Sequence, residues 1–286
     1  MDPFATREAE QLLKEWGVAS LPVDPLAIAG SHNIVCQAMP SQNGGVSGML
    51  IKVMGGFGIL YATHIDNDGF QRFSIAHELG HYFLPGHPEA VFAGGLSHQS
   101  RAGYVSGDKY EREADNFASG LLMPNFLFDP ALDRAGEGME AVKSLAQLCG
   151  TSLTATAIRY AQTTPELVAI VVSIGERVDY CFISDKLKEY PGLTWLKKGE
   201  SIPRGTKTRV FNQDKNNVRL AKEDANTIDL SAWFGGKTKG ELYEEVIGLG
   251  GYGKTLTVLT ASNLPDIEEI EEDENMEESW IPRFRK

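Results

Sequence analysis

The stretch RFSIAHELGHYF, Arg72 to Phe83, carries two histidines four residues apart and a glutamate directly after the first. In a helix, residues four apart lie on one face, about 5 to 6 Å from each other, so His77 and His81 can turn ring nitrogens toward one cation. Glu78 flanks that face and can act as general base on a water that the ion acidifies. The spacing predicts a zinc helix of the HExxH type. A buried histidine pair held by backbone acceptors is the structural alternative.

A catalytic zinc needs three protein ligands and one open position. EREAD, which begins at Glu111, offers carboxylates on the next long helix. Glu111 can complete the site while Asp115, one turn later on the same face, accepts the outer N–H of a ligating histidine. Glu113 points about 160° away from that pair, and a different helix rotation would reverse the choice. We predict that His77, His81 and Glu111 bind the metal and that Asp115 orients a ligand.

The elements that position these residues can be read from their hydrophobic periods and turn signals. A helix is predicted from Phe4 to Trp16, and a second, short helix after Pro25. Three strands follow, and we expect them to form a small antiparallel sheet. A loop over residues 85–107 is predicted between the two helices of the site. The predicted strands are IVCQAM, VSGMLIKVM and FGILYAT, and the helices begin near Phe70 and Asp108 and end before Pro85 and Pro124.

The strand FGILYAT closely precedes the zinc helix. If it forms an exposed edge of the sheet, it can bind an extended substrate by strand addition. Candidates to stabilise the oxyanion of a peptidase reaction are the polar residues between and beside the two helices: His87, His98, Tyr104 and Tyr110. For each of these four, a surface or packing role is the simpler interpretation.

The second half of the chain changes in character. From Met139 to Gln162 two helical stretches are separated at residues 150–152, which resembles a helix-turn-helix. Arg159 is the only cation between Thr151 and Arg177, so we do not expect direct DNA binding. Beyond Pro165 a mainly β domain is predicted from the segments LVAIVVSI, VDYCFIS, TRVF and TLTVLTAS, with one amphipathic piece, GELYEEVI.

The sequence therefore predicts an α+β protein in four parts. These are a zinc metallopeptidase domain at 1–128, a helix-turn-helix-like segment at 129–164, a β-rich domain at 165–265 and an acidic tail at 266–286. The tail begins with DIEEIEEDENMEE, which has nine carboxylates and is typical of a solvated segment.

Composition excludes several classes of protein. The net charge of −12 argues against a broad DNA-binding surface. No apolar run reaches 18 residues, and the first residues lack a basic flank and an apolar core, so we expect a cytoplasmic protein without membrane insertion. Three widely spaced cysteines, Cys36, Cys149 and Cys181, suit a reducing compartment and are expected to be buried thiols.

Several motifs occur in the order seen in the ImmA/IrrE family of bacterial zinc metallopeptidases, which residues 9 to 125 resemble. They are AEQLLKEWGVASLPVDPLAIA, RFSIAHELGH and EREADNFASGLLMP. The resemblance implies a gluzincin-like site with His77, His81 and the distal Glu111 as ligands and Glu78 as the catalytic glutamate. It also implies cleavage of a helix-turn-helix repressor that controls stress-response or mobile-element genes. The radiation-response type of the family further implies a GAF-like C-terminal domain.

Our main hypothesis is thus a zinc endopeptidase, with Mn²⁺ as the alternative metal and a protein substrate. The rival is a regulatory binding protein whose metal site is structural or vestigial. A third interpretation comes from GLGGYGKT, Gly248 to Thr255, which matches the P-loop pattern. A P-loop requires a strand before it and a helix after it, whereas an amphipathic segment precedes this one and a β-rich segment follows. We therefore expect a glycine-rich connection into a strand.

Overall fold

The computed structural model describes residues 3–39, 45–101, 108–262, 264–265 and 267. The chain divides into two compact units. The first comprises Met1–Gly136 and Val142–Arg159, and the second comprises Glu137–Ala141 and Tyr160–Lys286. The predicted acidic tail lies outside the described residues, apart from position 267. None of the described helices is both long and apolar enough to cross a bilayer.

The architecture is α+β, as the sequence predicts. The chain up to residue 163 folds into the following helices and strands, in order: α1 (Pro3–Glu15), α2 (Pro25–Ser31), β1 (Val35–Met39), β2 (Val46–Val53), β3 (Gly56–Ala62), α3 (Asp68–Phe83), α4 (His87–Val91), β4 (Ser97–Arg101), α5 (Lys109–Leu122), α6 (Asn125–Leu132), α7 (Gly138–Cys149) and α8 (Leu153–Thr163).

The sheet of the first unit is mixed rather than antiparallel. Its strand order is β1-β3-β2-β4. β2 runs antiparallel to both β3 and β4, whereas β1 runs parallel to β3, with Val35 opposite Gly58. The prediction of an antiparallel sheet is therefore wrong for β1. Local sequence patterns identify the strands but do not specify which neighbour each one pairs with.

This strand order also corrects the expected edge. β3, the segment FGILYAT, lies between β1 and β2 and has no free side for a peptide. Among the described strands, β1 and β4 form the edges of this sheet. The hypothesis that β3 binds substrate by strand addition is therefore wrong.

Residues 85–107 were expected to form a loop, but they contain α4 and β4. Pro88 lies in the first turn of α4, where its missing N–H costs nothing. β4 has the polar sequence SHQSR, so it carries no apolar alternation that could predict a strand. Its pairing with β2 makes it one, and His98 and Ser100 are its less exposed side chains.

Two glycines let α5 pack closely against its neighbours. A Cβ atom on Gly80 of α3 would lie 3.1 Å from Cα of Ala114, and one on Gly120 of α5 would lie 2.9 Å from the carbonyl oxygen of Thr6. α5 therefore contacts α1 on one side and α3 on the other at short range. Its buried residues include Phe117 and Leu121, which contribute to the hydrophobic core.

The rest of the chain folds into the following elements, in order: β5 (Val168–Ile174), β6 (Arg177–Ile183), α9 (Asp185–Lys188), α10 (Lys207–Gln213), α11 (Lys215–Arg219), β7 (Glu223–Asp229), α12 (Leu230–Phe234), β8 (Glu241–Gly248), a 3₁₀ turn (Gly250–Tyr252) and β9 (Thr255–Ser262). The five strands form the antiparallel sheet of the second unit, in the order β6-β5-β9-β8-β7. The predicted strands LVAIVVSI, VDYCFIS and TLTVLTAS are confirmed as β5, β6 and β9. GELYEEVI forms β8.

TRVF is not a strand but part of α10. The side chain of Thr206 caps this helix by accepting from the N–H of Arg209, and the buried carboxylate of Glu244 accepts from the N–H groups of Lys207 and Thr208 at 3.0 and 2.7 Å. An anion at a helix N-terminus satisfies otherwise unpaired donors. Because Glu244 comes from β8, 36 residues further along the chain from Thr208, the local sequence gave no sign of this cap.

The glycine-rich segment GLGGYGKT joins β8 to β9, two neighbouring antiparallel strands. The residues that follow its lysine are strand rather than helix. The connection into a strand is thus confirmed, and the helix N-terminus that would cradle a phosphate in a P-loop is missing from this position.

Candidate metal centre

The helix α3 carries the two histidines and the glutamate between them. Its N-terminus is capped by Asn67, whose side chain accepts from the N–H of Phe70 at 2.9 Å. The ring centroids of His77 and His81 are 4.8 Å apart, and their Nε2 atoms are 3.1 Å apart. The predicted helical spacing thus turns one nitrogen of each ring toward the same point.

The third donor comes from α5, whose N-cap is Asp108. Glu111 lies in the first turn, with Oε2 3.4 Å from Nε2 of His77 and Oε1 3.3 Å from Nε2 of His81. One ligand atom from each of the three residues lies within 4.8 Å of the others. Among the described residues, this is the group of His, Cys, Asp and Glu side chains that could hold a metal ion.

The donor set suits a zinc ion. Two imidazole nitrogens and one carboxylate oxygen are a set found in catalytic zinc sites, where a fourth position stays open. The two Nε2 atoms face each other in a buried space, and both rings use their outer Nδ1 atoms for other hydrogen bonds. A cation between the two Nε2 lone pairs satisfies both of them at once. The residues present therefore fit the predicted metal.

Asp115 lies beside the outer nitrogen of His77. Its Oδ1 is 2.8 Å from Nδ1 of His77, which places it to accept the outer N–H of that ring. Burial disfavours a charged His77, but the hydrogen bonds to Asp115 and Glu111 outweigh burial and raise its pKa to about 10. The two acids therefore create a negative environment around this ring, and a cation at Nε2 is stabilised by the same field.

Glu78 is completely buried, and neither oxygen has a hydrogen-bond partner among the described residues. Burial raises its pKa to about 7, and the positive charge of His77 and the nearby hydroxyl group of Ser100 oppose this rise. An unpartnered buried carboxylate is costly in an inert position. Beside a candidate metal centre, the carboxylate of Glu78 can act as a general base that accepts a proton from a water molecule.

The pKa values of the other two proposed ligands, His81 and Glu111, are both lowered, but with opposite causes and consequences. Burial lowers the pKa of His81 to about 3, so this ring is neutral, as a metal ligand must be. Burial opposes ionisation of Glu111, but its neighbours His77, His81 and His98 hold the pKa of that carboxyl well below its usual range. At neutral pH the site thus offers a neutral nitrogen atom on His81 and a charged oxygen on Glu111.

His98 and His87 both lie closer to the site than the sequence indicated. His98, on β4, has Nε2 2.8 Å from Oε1 of Glu111, which makes it a hydrogen-bond donor to the predicted ligand. His87, the first residue of α4, has Nδ1 3.2 Å from Nδ1 of His81. Its other nitrogen lies 3.0 Å from Oε2 of Glu113. Glu113 therefore faces His87, and Glu111 is the acid that faces the two ligand histidines.

Two of the remaining candidates, Tyr110 and Arg159, belong to the described residues. The ring of Tyr110 packs edge-on against His87, with centroids 5.0 Å apart, and Tyr104 lies outside the described residues. Arg159 is buried, and its guanidinium donates to the carbonyl of Met123 and to Oδ1 of Asn125. A side chain so held supports the helices around it and is not presented to a nucleic acid.

A family model of peptidase M78, described as the IrrE N-terminal-like domain, matches residues 29–160. None of the curated proteins compared with the sequence matched it.

A solved structure named a Mycobacterium tuberculosis transcriptional regulator has a similar fold. The TM-score is 0.55 and the sequence identity is 12%, and the alignment covers 91% of this chain and 87% of the other. At this identity, the likeness concerns the fold alone. The family match includes all five predicted site residues, so over residues 29–160 the chain is similar to the IrrE N-terminal-like domain of the peptidase M78 family.

Proposed function

We propose that this protein is a zinc-dependent endopeptidase that cleaves a protein substrate. The observation that carries the proposal is the convergence of His77, His81 and Glu111 next to the buried, unpartnered carboxylate of Glu78. A zinc ion held by these three residues would supply a Lewis acid, which could polarise a peptide carbonyl and acidify a water molecule. Mn²⁺ is the alternative metal, because the same donors accept it.

Glu78 is the proposed general base and general acid. A pKa near 7 lets this carboxylate accept the proton of the attacking water and release it to the departing amine at neutral pH. Asp115 holds the ring of His77 in the tautomer that leaves Nε2 free for the metal. Among the described candidates for an oxyanion donor, His98 on β4 lies within hydrogen-bond distance of the proposed ligand Glu111.

The edge strand β4 is a candidate substrate platform. β4 has β2 as its one neighbour among the described strands and carries His98 next to the proposed metal ligands. An extended peptide can pair with such an edge through main-chain hydrogen bonds. Binding of this kind would recognise the backbone of the substrate. A segment of a folded partner could therefore bind only where it can become extended.

We further propose that the substrate is a helix-turn-helix repressor and that its cleavage releases stress-response or mobile-element genes. The family resemblance motivates this substrate, and the name of the structural neighbour, a transcriptional regulator, agrees with a regulatory role. A cytoplasmic location follows from the same proposal. The division at 1–128, 129–164, 165–265 and 266–286, with a GAF-like third part, stays a prediction.

The competing proposal is a non-proteolytic regulator that controls its partner by contact. The buried carboxylate of Glu78 favours the enzyme, because a structural zinc site needs no base without a hydrogen-bond partner. The test is to mix the purified protein with the helix-turn-helix protein encoded beside it, with and without a chelator, and to determine the product masses. A discrete, chelator-sensitive cut supports the peptidase. Binding without any cut, in zinc-loaded protein, supports the regulator.

A further inference from the structure

The outer nitrogen of His81 begins a chain of buried hydrogen bonds. Nδ1 of His81 lies 3.2 Å from Nδ1 of His87, and Nε2 of His87 lies 3.0 Å from Oε2 of Glu113. Oε1 of Glu113 lies 3.4 Å from Nζ of Lys109, one helical turn earlier. The three inner side chains have exposed fractions of 0%, 1% and 8% in the order His81, His87 and Glu113. No water is needed to connect them.

One assignment of protons satisfies this chain. If Nε2 of His81 faces a metal ion, its Nδ1 must carry the proton and donate it. Nδ1 of His87 then accepts, so the proton of His87 is on Nε2, where it donates to the carboxylate of Glu113. One accepting and one donating nitrogen is the arrangement of a neutral imidazole. Every nitrogen of both rings is used.

The same arrangement exists in a shorter form on the other ligand. His77 donates its outer N–H directly to Asp115, whereas His81 reaches Glu113 through an intervening imidazole. All three acids of EREAD are therefore engaged: one faces the metal position, and the other two end the hydrogen bonds of the two rings. The outer hydrogen bonds of the two ligand histidines thus end on separate carboxylates of α5.

We propose that His87 and Glu113 are positioning residues that fix the tautomer and orientation of His81 and so set the affinity for the metal. The inference rests on the proposed metal centre. Outer hydrogen-bond partners of ligating histidines typically strengthen metal binding by 10- to 100-fold. The edge-on contact with Tyr110 and the position of His87 at the start of α4 hold the intervening ring in place.

The direct test is zinc affinity, measured by competition with a chromophoric chelator. His87→Phe keeps an aromatic ring but has no acceptor for His81, and we expect it to weaken zinc binding roughly 10- to 100-fold. His87→Asn retains an acceptor close to the position of Nδ1 and is expected to recover most of that loss. Glu113→Gln removes the terminal charge and is expected to give an intermediate value. The matched control is His64→Asn, a change at an exposed histidine before α3.

A second readout separates positioning from general damage. In the cobalt-substituted protein, each ligating ring with a protected Nδ1–H gives one paramagnetically shifted, exchangeable proton resonance. We expect two such signals in the wild type, and loss of one in His87→Phe with the His77 signal retained. A change that only loosens the fold would broaden both signals together.

The outcomes distinguish this inference from the proposed function. If the wild type binds zinc but both His87→Phe and Glu113→Gln bind it within about twofold of wild type, the positioning role is overturned. If the variants lose affinity as expected while the wild type cleaves no partner, the positioning role stands and the peptidase proposal fails. If the wild type binds no zinc, both are wrong.

Discussion

Gly48 of β2 lies directly over the carboxylate of Glu78: a Cβ atom added to this glycine would be 2.5 Å from Oε1 and 3.1 Å from Cγ of that side chain. Glycine is needed here for space, because no other residue leaves room for the glutamate. The sheet therefore limits the space around Glu78, and the absence of a side chain at Gly48 of β2 permits the buried position of this glutamate.

The first prediction concerns this contact. Gly48→Ala should displace Glu78 and lower the cleavage rate by at least about tenfold. Zinc affinity should stay near that of the wild type, because Glu78 is not one of the proposed metal ligands. Gly58→Ala is the matched control: its Cβ would meet the flexible side chain of Ile51 at 3.1 Å. Cleavage assays and chelator competition are run on both variants. A Gly48→Ala enzyme with full activity would show that Glu78 does not need its observed position.

The second prediction concerns Glu78 itself. Glu78→Gln keeps the shape of the side chain but cannot take a proton, so cleavage should fall by a factor of about 100 or more. Zinc content, determined by elemental analysis, should be unchanged. Glu89→Gln, at an exposed position of α4, is the control. Cleavage by Glu78→Gln at the wild-type rate would remove the proposed mechanism.

The third prediction concerns Asp115. Asp115→Asn retains an oxygen that can accept from Nδ1 of His77 but removes the negative charge, and we expect zinc affinity to fall about tenfold. Asp133→Asn, at an exposed position after α6, controls for loss of a carboxylate. Competition with a chelator gives both dissociation constants. Equal values for wild type and Asp115→Asn would mean that this acid does not act on the metal through His77.

The fourth prediction separates structure from DNA binding at Arg159. Arg159→Met removes a buried cation that donates to Met123 and Asn125 and lies 3.8 Å from Oε1 of Glu10. Removing one member of such a buried group typically costs about 3 to 5 kcal/mol. We expect a loss of this size in the free energy of unfolding, measured with urea. An unchanged midpoint in urea would contradict a structural role.

The fifth prediction concerns pH. Burial works against ionisation of Asp179, but Lys254, at 2.7 Å, and Lys198 outweigh it and lower its pKa. Because the pKa of Asp179 is lower in the folded state, the ion pair stabilises the protein at pH values above the unfolded-state pKa of about 3.9. This contribution is lost as the pH falls through the folded-state pKa. Lys254→Met should thus be less stable than wild type by up to about 1 kcal/mol at pH 7.

This difference should shrink as the pH is lowered below the unfolded pKa of about 3.9 and on through the lower folded pKa, because the carboxyl group of Asp179 then becomes protonated in both states. Urea unfolding at several pH values measures it. Lys188→Met, which removes the exposed pair with Asp185, serves as a comparison. A difference that is constant across this range would mean that Asp179 does not titrate with its partner.

Cysteine burial was predicted for all three thiols, and the structure supports it fully for Cys149 alone. Cys36 and Cys181 are half-buried. Burial nevertheless raises the pKa of each: to about 11 for Cys36 and to about 12 for Cys149 and Cys181. The thiols are thus poor nucleophiles at neutral pH, in agreement with the absence of a role for them in the proposed chemistry.

The sequence by itself determined those features whose causes are local. The spacing of His77 and His81 places both rings on one face of any helix, and Asp108 and Asn67 supply caps at the expected starts of α5 and α3. Glu111 and Asp115, four residues apart, must likewise share a face. These relationships follow from helix geometry and need no knowledge of the fold.

Tertiary structure decided the relationships between residues that are distant along the chain. SHQSR is a strand because β2 pairs with it, and TRVF is helical because Glu244 from β8 caps it. Glu113 appeared to point away from the site, yet α4 carries His87 into the space between this acid and His81. Hydrogen bonds form wherever packing brings donor and acceptor together, and packing depends on the whole chain rather than on any local period.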